Sequence, residues 1–258
     1  MSFLRPNLWQ IPTPSEADFA NLSQKETALY QRIQQISQKE TALYQRIQQI
    51  SQQHRNAKFA SSLAVEDMLI TDVIAKSQAN ITVFTLETGR LNPETLALVD
   101  KVKTNYPNLN FQLYYPDAQK AAEYDRQKGK FAFYESMELR RECCFIRKIE
   151  PLNRALQDAD AWLTGQRREQ SVTRTELALH AQDTSRGIDK YNPIFDWSEL
   201  EVWAYILKYQ IPYNELYKQG FPSIGCEPCT RPVKVGEDIR AGRWWWENKD
   251  SKECGLHK

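Results

Sequence analysis

Ile81-Thr82-Val83-Phe84-Thr85-Leu86 runs directly into Glu87-Thr88-Gly89-Arg90. β-branched and aromatic residues ending on a glycine turn are the pattern of a buried strand. Segments of helical composition flank it, Glu66–Lys76 before and Pro93–Asn105 after. Two more β-type runs follow, Phe111–Tyr115 (FQLYY) and Ala159–Thr164 (ADAWLT), with a helical stretch over Asp117–Lys128. Strands alternating with helices of about a dozen residues predict an α/β fold, a parallel sheet wrapped by helices. Ligands of such sheets bind beyond the carboxyl ends of the strands. The turns that follow the strands are therefore the places to look for chemistry.

Three turns qualify. Ser61-Ser62-Leu63-Ala64-Val65-Glu66-Asp67 opens a helix with small and hydroxyl residues, which can present backbone N–H groups to a phosphate. The same letters also read as an ordinary N-cap followed by first-turn acids. Leu86-Glu87-Thr88-Gly89 needs its glycine for a tight turn, with or without a ligand. Gly165-Gln166-Arg167-Arg168-Glu169-Gln170-Ser171 follows the ADAWLT run, and its paired arginines suit bidentate binding of phosphate or sulfate. Farther on, Asp196 or Ser198 caps a helix with Leu200, Trp203, Ile206 and Leu207 on its apolar face.

The 258 residues are ample for one large domain. We expect a helical arm over 1–57, the α/β body over 58–225, and a CxxC segment with a mobile tail over 226–258. No apolar run approaches the roughly 20 residues of a membrane span, and no secretory leader is evident at the start. A net charge of +1 gives no reason to expect nucleic acid. In the arm, Ser23–Ile36 (SQKETALYQRIQQI) recurs letter for letter as Ser37–Ile50. Its period of two heptads puts Leu29, Ile36, Leu43 and Ile50 on one seam of a helix. A coiled-coil interface in a homo-oligomer and a packing arm are both open. A duplication that merely lengthens a surface helix is the favoured reading, since two heptads are short for an autonomous coiled coil.

Five cysteines are few and odd in number, which argues for reduced thiols in the cytosol rather than a disulfide scaffold. Cys143 and Cys144 are adjacent, and Cys226 and Cys229 form a CxxC. Four such thiols suit a soft metal centre, either a 4Fe-4S cluster or a four-thiolate zinc site. Neighbours in a regular helix diverge by about 100°, so the tandem pair must reach different irons or sit at a kink. Arg147, Lys148 and Arg231 supply the cations that a thiolate cluster attracts. Cys254 stands apart between Lys252 and His257, which lower a thiol pKa and favour a nucleophile.

The set C-C-x-x-R-K, G-C-x-P-C-T-R, G-R-W-W-W-E and K-E-C-G-L-H resembles the assimilatory sulfonucleotide reductases, over about Phe59 to His257. That resemblance implies an adenine nucleotide alpha-hydrolase-like (Rossmann-like) domain with a 4Fe-4S cluster on Cys143, Cys144, Cys226 and Cys229. It implies reduction of adenosine 5′-phosphosulfate (APS) or its 3′-phosphorylated form (PAPS) to sulfite, with Cys254 attacking the sulfur and thioredoxin as electron donor. The substrate-binding positions it carries over are Ser61, Ser62, Glu66, Asp67, Leu86, Glu87, Thr88, Gly89, Lys148, Arg167, Arg168, Arg240, Arg243 and His257. Ala64 replaces a glycine common in relatives, and Glu87 the usual aspartate. Retained cluster cysteines favour APS over PAPS. The rivals are a non-catalytic iron–sulfur or zinc module that holds a nucleotide, and an ATP-pyrophosphatase. The latter needs an S-G-G-x-D-S loop that Ser61–Asp67 does not provide.

Overall fold

The computed structural model describes residues 22–170, 176–234 and 236–247, with side chains from Gln35 onward. A long helix α1 (Leu22–Gln53) leads into β1 (Ala57–Ala60), α2 (Val65–Lys76), β2 (Ile81–Leu86), α3 (Pro93–Asn105), β3 (Phe111–Tyr114) and α4 (Ala118–Lys128). Then come α5 (Met137–Cys144), a π-helical turn (Phe145–Ile149), α6 (Glu150–Ala155), β4 (Ala161–Leu163), the strands β5 (His180–Asp183) and β6 (Ile188–Tyr191), and α7 (Glu199–Lys208). The strands form one sheet in the order β3-β2-β1-β4-β6-β5. All its pairings are parallel except β5 with β6. The expected parallel sheet is present, with an antiparallel edge hairpin added.

The chain leaves β1 toward β2 and β3, then returns to β4 on the other side of β1. The carboxyl ends of β1 and β4 therefore flank the point where strand order reverses, the usual crevice for a ligand in this class of sheet. Helix α2 follows β1 directly, and nine of its twelve residues are buried. It is covered on its far side, where α1 and α7 pack on it. Its buried Asp72 survives there because Tyr106 and Tyr205 donate hydroxyl protons to it at 3.0 and 2.8 Å, and Lys76 pairs with it at 2.7 Å. Ser198 caps α7 in a full capping box with Glu201.

The second copy of the repeat is a packing arm, which corrects the favoured expectation of a surface helix. Leu43 and Ile47 are fully buried and Ile50 nearly so, each contributing about 1.5–3 kcal/mol by leaving water. The stripe is apolar because it faces the core rather than another arm.

The tandem cysteines end α5, just before the π-helical turn. That wide turn precedes Pro151, which lacks an N–H and crowds the carbonyl of Arg147 four residues back. Of the two alternatives for the tandem pair, the backbone departs from regular helix immediately after it, at Phe145.

Candidate active site

A cavity of about 240 Å³ opens at the strand-order reversal. Its floor is the end of β1 with the loop behind it, its walls are the ends of β2 and β4, and Lys148, Ile224 and Gly225 close one side. Phe84, Leu86, Leu152 and Trp162 give it an apolar end large enough for a planar ring system.

The loop from Ser61 to Ala64 is held from several directions. Ser61 N donates to Phe84 O at 2.8 Å, and Thr85 Oγ1 donates to Ser61 O at 2.9 Å. Leu63 sits at φ 61°, a left-handed conformation costly for leucine. Burial of its side chain and the bond from its N–H to Ser61 Oγ (3.2 Å) keep it there. The Asp67 carboxylate accepts from both the backbone N–H and the hydroxyl of Ser62 at 2.6 Å. Burial is the largest influence on Asp67 and pushes its pKa up to about 7, against those two Ser62 hydrogen bonds. The N-cap of α2 is Ala64, which offers no side-chain acceptor. Of the first-turn N–H groups, orphans of any helix, that of Val65 donates to the Tyr217 hydroxyl at 3.2 Å, and those of Glu66 and Asp67 are left for an anion in the cavity.

Gly165 faces this loop from β4. A Cβ built there would lie 2.0 Å from Asp67 Oδ1, so only glycine lets the two segments approach. We expect Gly165→Ala to displace the Asp67 carboxyl, release Ser62 and weaken anionic nucleotide binding by tenfold or more, about 1.4 kcal/mol. Titration calorimetry with AMP measures this, and unchanged affinity would show that the close approach does not matter for binding.

The sequence-derived residues divide. Ser61, Ser62, Glu66, Asp67, Leu86, Thr88 and Lys148 line the cavity. Glu87 and Gly89 stand in the β2 turn beyond it, where Gly89 adopts φ 70° and donates its N–H to Glu87 Oε1 at 2.8 Å. The arginine pair does not form the expected open clamp. Arg167 is buried and bonded to Glu66 at 2.8 Å and to Trp197 O at 3.3 Å. Arg168 donates to Leu177 O at 2.8 Å and lies over the Phe195 ring. Both arginines have intramolecular acceptors, and neither belongs to the cavity wall. Arg243 donates to Ile224 O at 3.3 Å and stacks on Trp244. It packs so close to Gly225 that a Cβ there would clash with its guanidinium at 2.4 Å. Arg240 donates its backbone N–H to Asp238 at 2.8 Å. Cys254 and His257 lie outside the described residues. Gln170 of the Gly165–Ser171 loop joins the wall, as do Trp162 and Thr164, which were not singled out as site residues because a short buried strand carries no local sign of what its end will face.

The four other cysteines form no disulfide and are brought together behind the cavity. Cys143, Cys226 and Cys229 share one buried cluster with Tyr124, Phe133 and Trp244. Burial is the main cause that pushes Cys143 up to about 11, with Cys144 next, while Arg90 and Arg147 pull it down. Cys229 rises to about 12, through burial first and then Cys226 and Cys144, opposed by Lys148 and Arg243. Each of these thiols is thus within electrostatic reach of others from the opposite pair. Thr88 Oγ1 lies 3.3 Å from Cys226 Sγ. Arg147 is fixed by Thr88 O and Asp125, both at 3.0 Å, and Arg90 by Asp125 at 2.7 Å. Of the cations named from sequence, Arg231 turns away to Glu237 at 3.1 Å. Arg147 and Lys148 do face the thiols, and Arg90 and Arg243 join them in place of Arg231. Among the described residues, no three His, Cys, Asp or Glu side chains are arranged to hold a single metal ion.

A family model described as "phosphoadenosine phosphosulfate reductase domain" matches residues 56–232. The chain belongs to that family. It is 59% identical over 258 residues to an adenosine 5′-phosphosulfate reductase of Neisseria meningitidis serogroup A, covering all of both chains. To the protein of that name from Burkholderia cepacia it is 56% identical over 205 residues, 80% of this chain and 82% of the other. Among solved structures, phosphoadenylyl-sulfate reductase from Candida auris in a phosphate complex superposes with TM-score 0.64 at 27% identity, covering 74% of this chain and 90% of that one. An FMN adenylyltransferase of Candida glabrata shares the fold alone, with TM-score 0.55 at 12% identity, covering 88% and 79%. Membership of this family makes the chain an oxidoreductase that acts on sulfur groups. No helix among the described residues is long and apolar enough to cross a membrane.

Proposed function

We propose that this protein reduces adenosine 5′-phosphosulfate to sulfite and AMP, as the names of its 59%- and 56%-identical relatives suggest. One observation carries the reading. Lys148 lies in the cavity wall and also close enough to Cys229 to lower its pKa, so one cation faces both the ligand site and the thiols. The donor chemistry fits a 4Fe-4S cluster. Four thiols from two segments, none of them in a disulfide, meet in a buried, cation-lined space, and a cubane takes one thiolate per iron where a single ion would need all four at one point. Cys143, Cys144, Cys226 and Cys229 would hold it. Bound there, the cluster would supply polarising charge beside the cavity. Iron and acid-labile sulfide in equal amounts support the assignment, and stoichiometric zinc would overturn it.

The cavity binds the nucleotide with its base among Phe84, Leu86 and Trp162, and its phosphosulfate at the start of α2 and Lys148. Cys254 thiolate attacks the sulfuryl sulfur, the S–O bond to phosphate breaks, and AMP leaves with that electron pair. A thioredoxin thiolate then attacks Cys254 Sγ and expels sulfite. Its second thiol closes the thioredoxin disulfide and returns Cys254 as thiolate. The two electrons come from the thioredoxin dithiol, and the enzyme works in the cytoplasm, where thiols are kept reduced. Mass spectrometry after mixing protein with APS and no reductant tests the first step. An adduct of about 80 Da, one SO₃ on a thiol, is expected on the peptide holding Cys254. A substrate preference for PAPS in steady-state kinetics would replace APS in this reading.

Asp67 gives the site a pH dependence. Its carboxyl lines the cavity, and with a pKa near 7 it is neutral below that pH and an anion above. An anionic ligand favours the neutral form, so APS affinity should fall as pH rises through about 7. Asp67→Asn should flatten that slope, and the same slope in this variant would remove Asp67 as its source. Stability follows the same direction. The folded state keeps a proton that the unfolded chain has lost between about 4 and 7, so folding weakens across that window as pH rises.

A further inference from the structure

The repeat in α1 is not used by the reductase chemistry, and the structure shows what one copy does. Ser37–Ile50 docks by a self-contained set of contacts. Leu43, Ile47 and Ile50 are buried in the core. Lys39 donates to Glu201 at 2.6 Å and to Asp196 O at 2.8 Å. Glu40 is buried and accepts from Lys208 and Tyr209, both at 2.9 Å. Arg46 grips Asp196 through two bonds of 2.8 and 2.9 Å, reaches Pro193 O at 2.7 Å, and lies over the Phe195 ring.

Every one of those residues has an identical counterpart fourteen positions earlier: Lys25, Glu26, Leu29, Arg32, Ile33 and Ile36. The identity runs past the repeat, because Ser37-Gln38 matches Ser51-Gln52. Ser51 Oγ accepts from Asn80 N at 2.8 Å, so Ser37 can take over that contact as well. We propose that the face made by α2, α7 and the Pro193–Trp197 turn is a peptide-binding site with two ligands in one chain. Ser23–Ile36 takes the site in exchange for Ser37–Ile50.

The contacts made are the same in either register. The exchange lengthens the link to β1 from residues 51–56 to residues 37–56, and loop-closure cost grows only with the logarithm of length. It also gives up the helical state of the displaced copy, which is near balance for a segment this short in water. The His54 contact with Tyr191, 3.0 Å in the observed register, is the specific loss. Exchange carries the segment before Leu22 by two heptads, about 21 Å of helix.

The test uses the intact protein as purified. Ile47→Asp disables the second copy. In the full chain it should lower the thermal midpoint by less than about 3 °C, because Ser23–Ile36 moves in. In a chain lacking residues 23–36 the same change should lower it by more than about 10 °C or prevent folding. The double variant Ile33→Asp/Ile47→Asp should behave like the latter. Brief trypsin digestion of full-length Ile47→Asp should cut after Arg46 while Arg32 gains protection over wild type. An equal loss of midpoint in both backgrounds, or cleavage after Arg46 with no gain at Arg32, overturns the proposal.

Discussion

Serine in place of Cys254 is expected to reduce APS-dependent sulfite release by at least about 10³-fold while the iron–sulfur absorbance stays at wild-type intensity. Under the proposed mechanism, removing the Cys254 sulfur leaves binding and electrostatics in place but no nucleophile, and losses of this order or larger are usual for such changes. Geometry allows the role. The chain is fixed at Trp244 through its N–H to Cys229 O at 3.2 Å and at Glu247 through Arg140. From Glu247, the seven residues to Cys254 span at most about 25 Å when extended. Arg243, one residue before Trp244, already packs against the cavity-lining Gly225. The tail therefore starts beside the cavity rather than across the molecule from it. Sulfite release and the visible spectrum, measured on the same preparation, separate loss of the nucleophile from loss of the fold. Undiminished turnover would end the covalent mechanism.

Much of this arrangement could be read from the residues, and the exceptions have physical causes. The strand at Ile81–Leu86 and the helix at Pro93–Asn105 have the boundaries expected, because buried strands and capped helices write their periodicity and termini locally. Ser198 caps α7 for the same reason. The hairpin His180–Tyr191 was missed, since HAQD and IDKY are short and polar and β5 is mostly exposed. An edge strand covered on neither face leaves no apolar alternation to find. The two cysteine pairs were legible as a set, yet their neighbours were not. Thr88 meets Cys226 from 138 residues away, and Arg90, read only as the end of a turn, faces Cys143. The arginines of the 165–171 loop show the opposite error. Their charge was visible, but the Glu66 that engages Arg167 from 101 positions upstream was not. Local patterns predict what a residue can do, and long-range pairing decides what it meets.

Arg140 also meets its partner from far along the chain, Glu247 at 107 positions, and its replacement should have the largest effect on the fold. Its side chain is fully buried, it bonds Glu247 through both Nε and Nη2 (3.0 Å for the latter), and it lies over the Trp244 ring. Cys144 adds to the negative charge around it. The pair joins α5, which carries the tandem cysteines, to the last described turn before the tail. Arg140→Met takes the guanidinium away from a carboxylate with only 8% side-chain exposure. Breaking a buried pair from one side costs about 3–5 kcal/mol, whereas replacing both partners with neutral groups is often close to neutral. Arg140→Met alone should therefore lower the urea midpoint sharply, and the double variant Arg140→Met/Glu247→Gln should recover most of the loss. Because the pair also anchors the root of the tail, Glu247→Gln should slow sulfite release even where stability is preserved, through a poorly held Cys254 rather than a missing one. If the double variant is as unstable as Arg140→Met, the penalty comes from the lost packing of the guanidinium on Trp244 and not from a stranded charge.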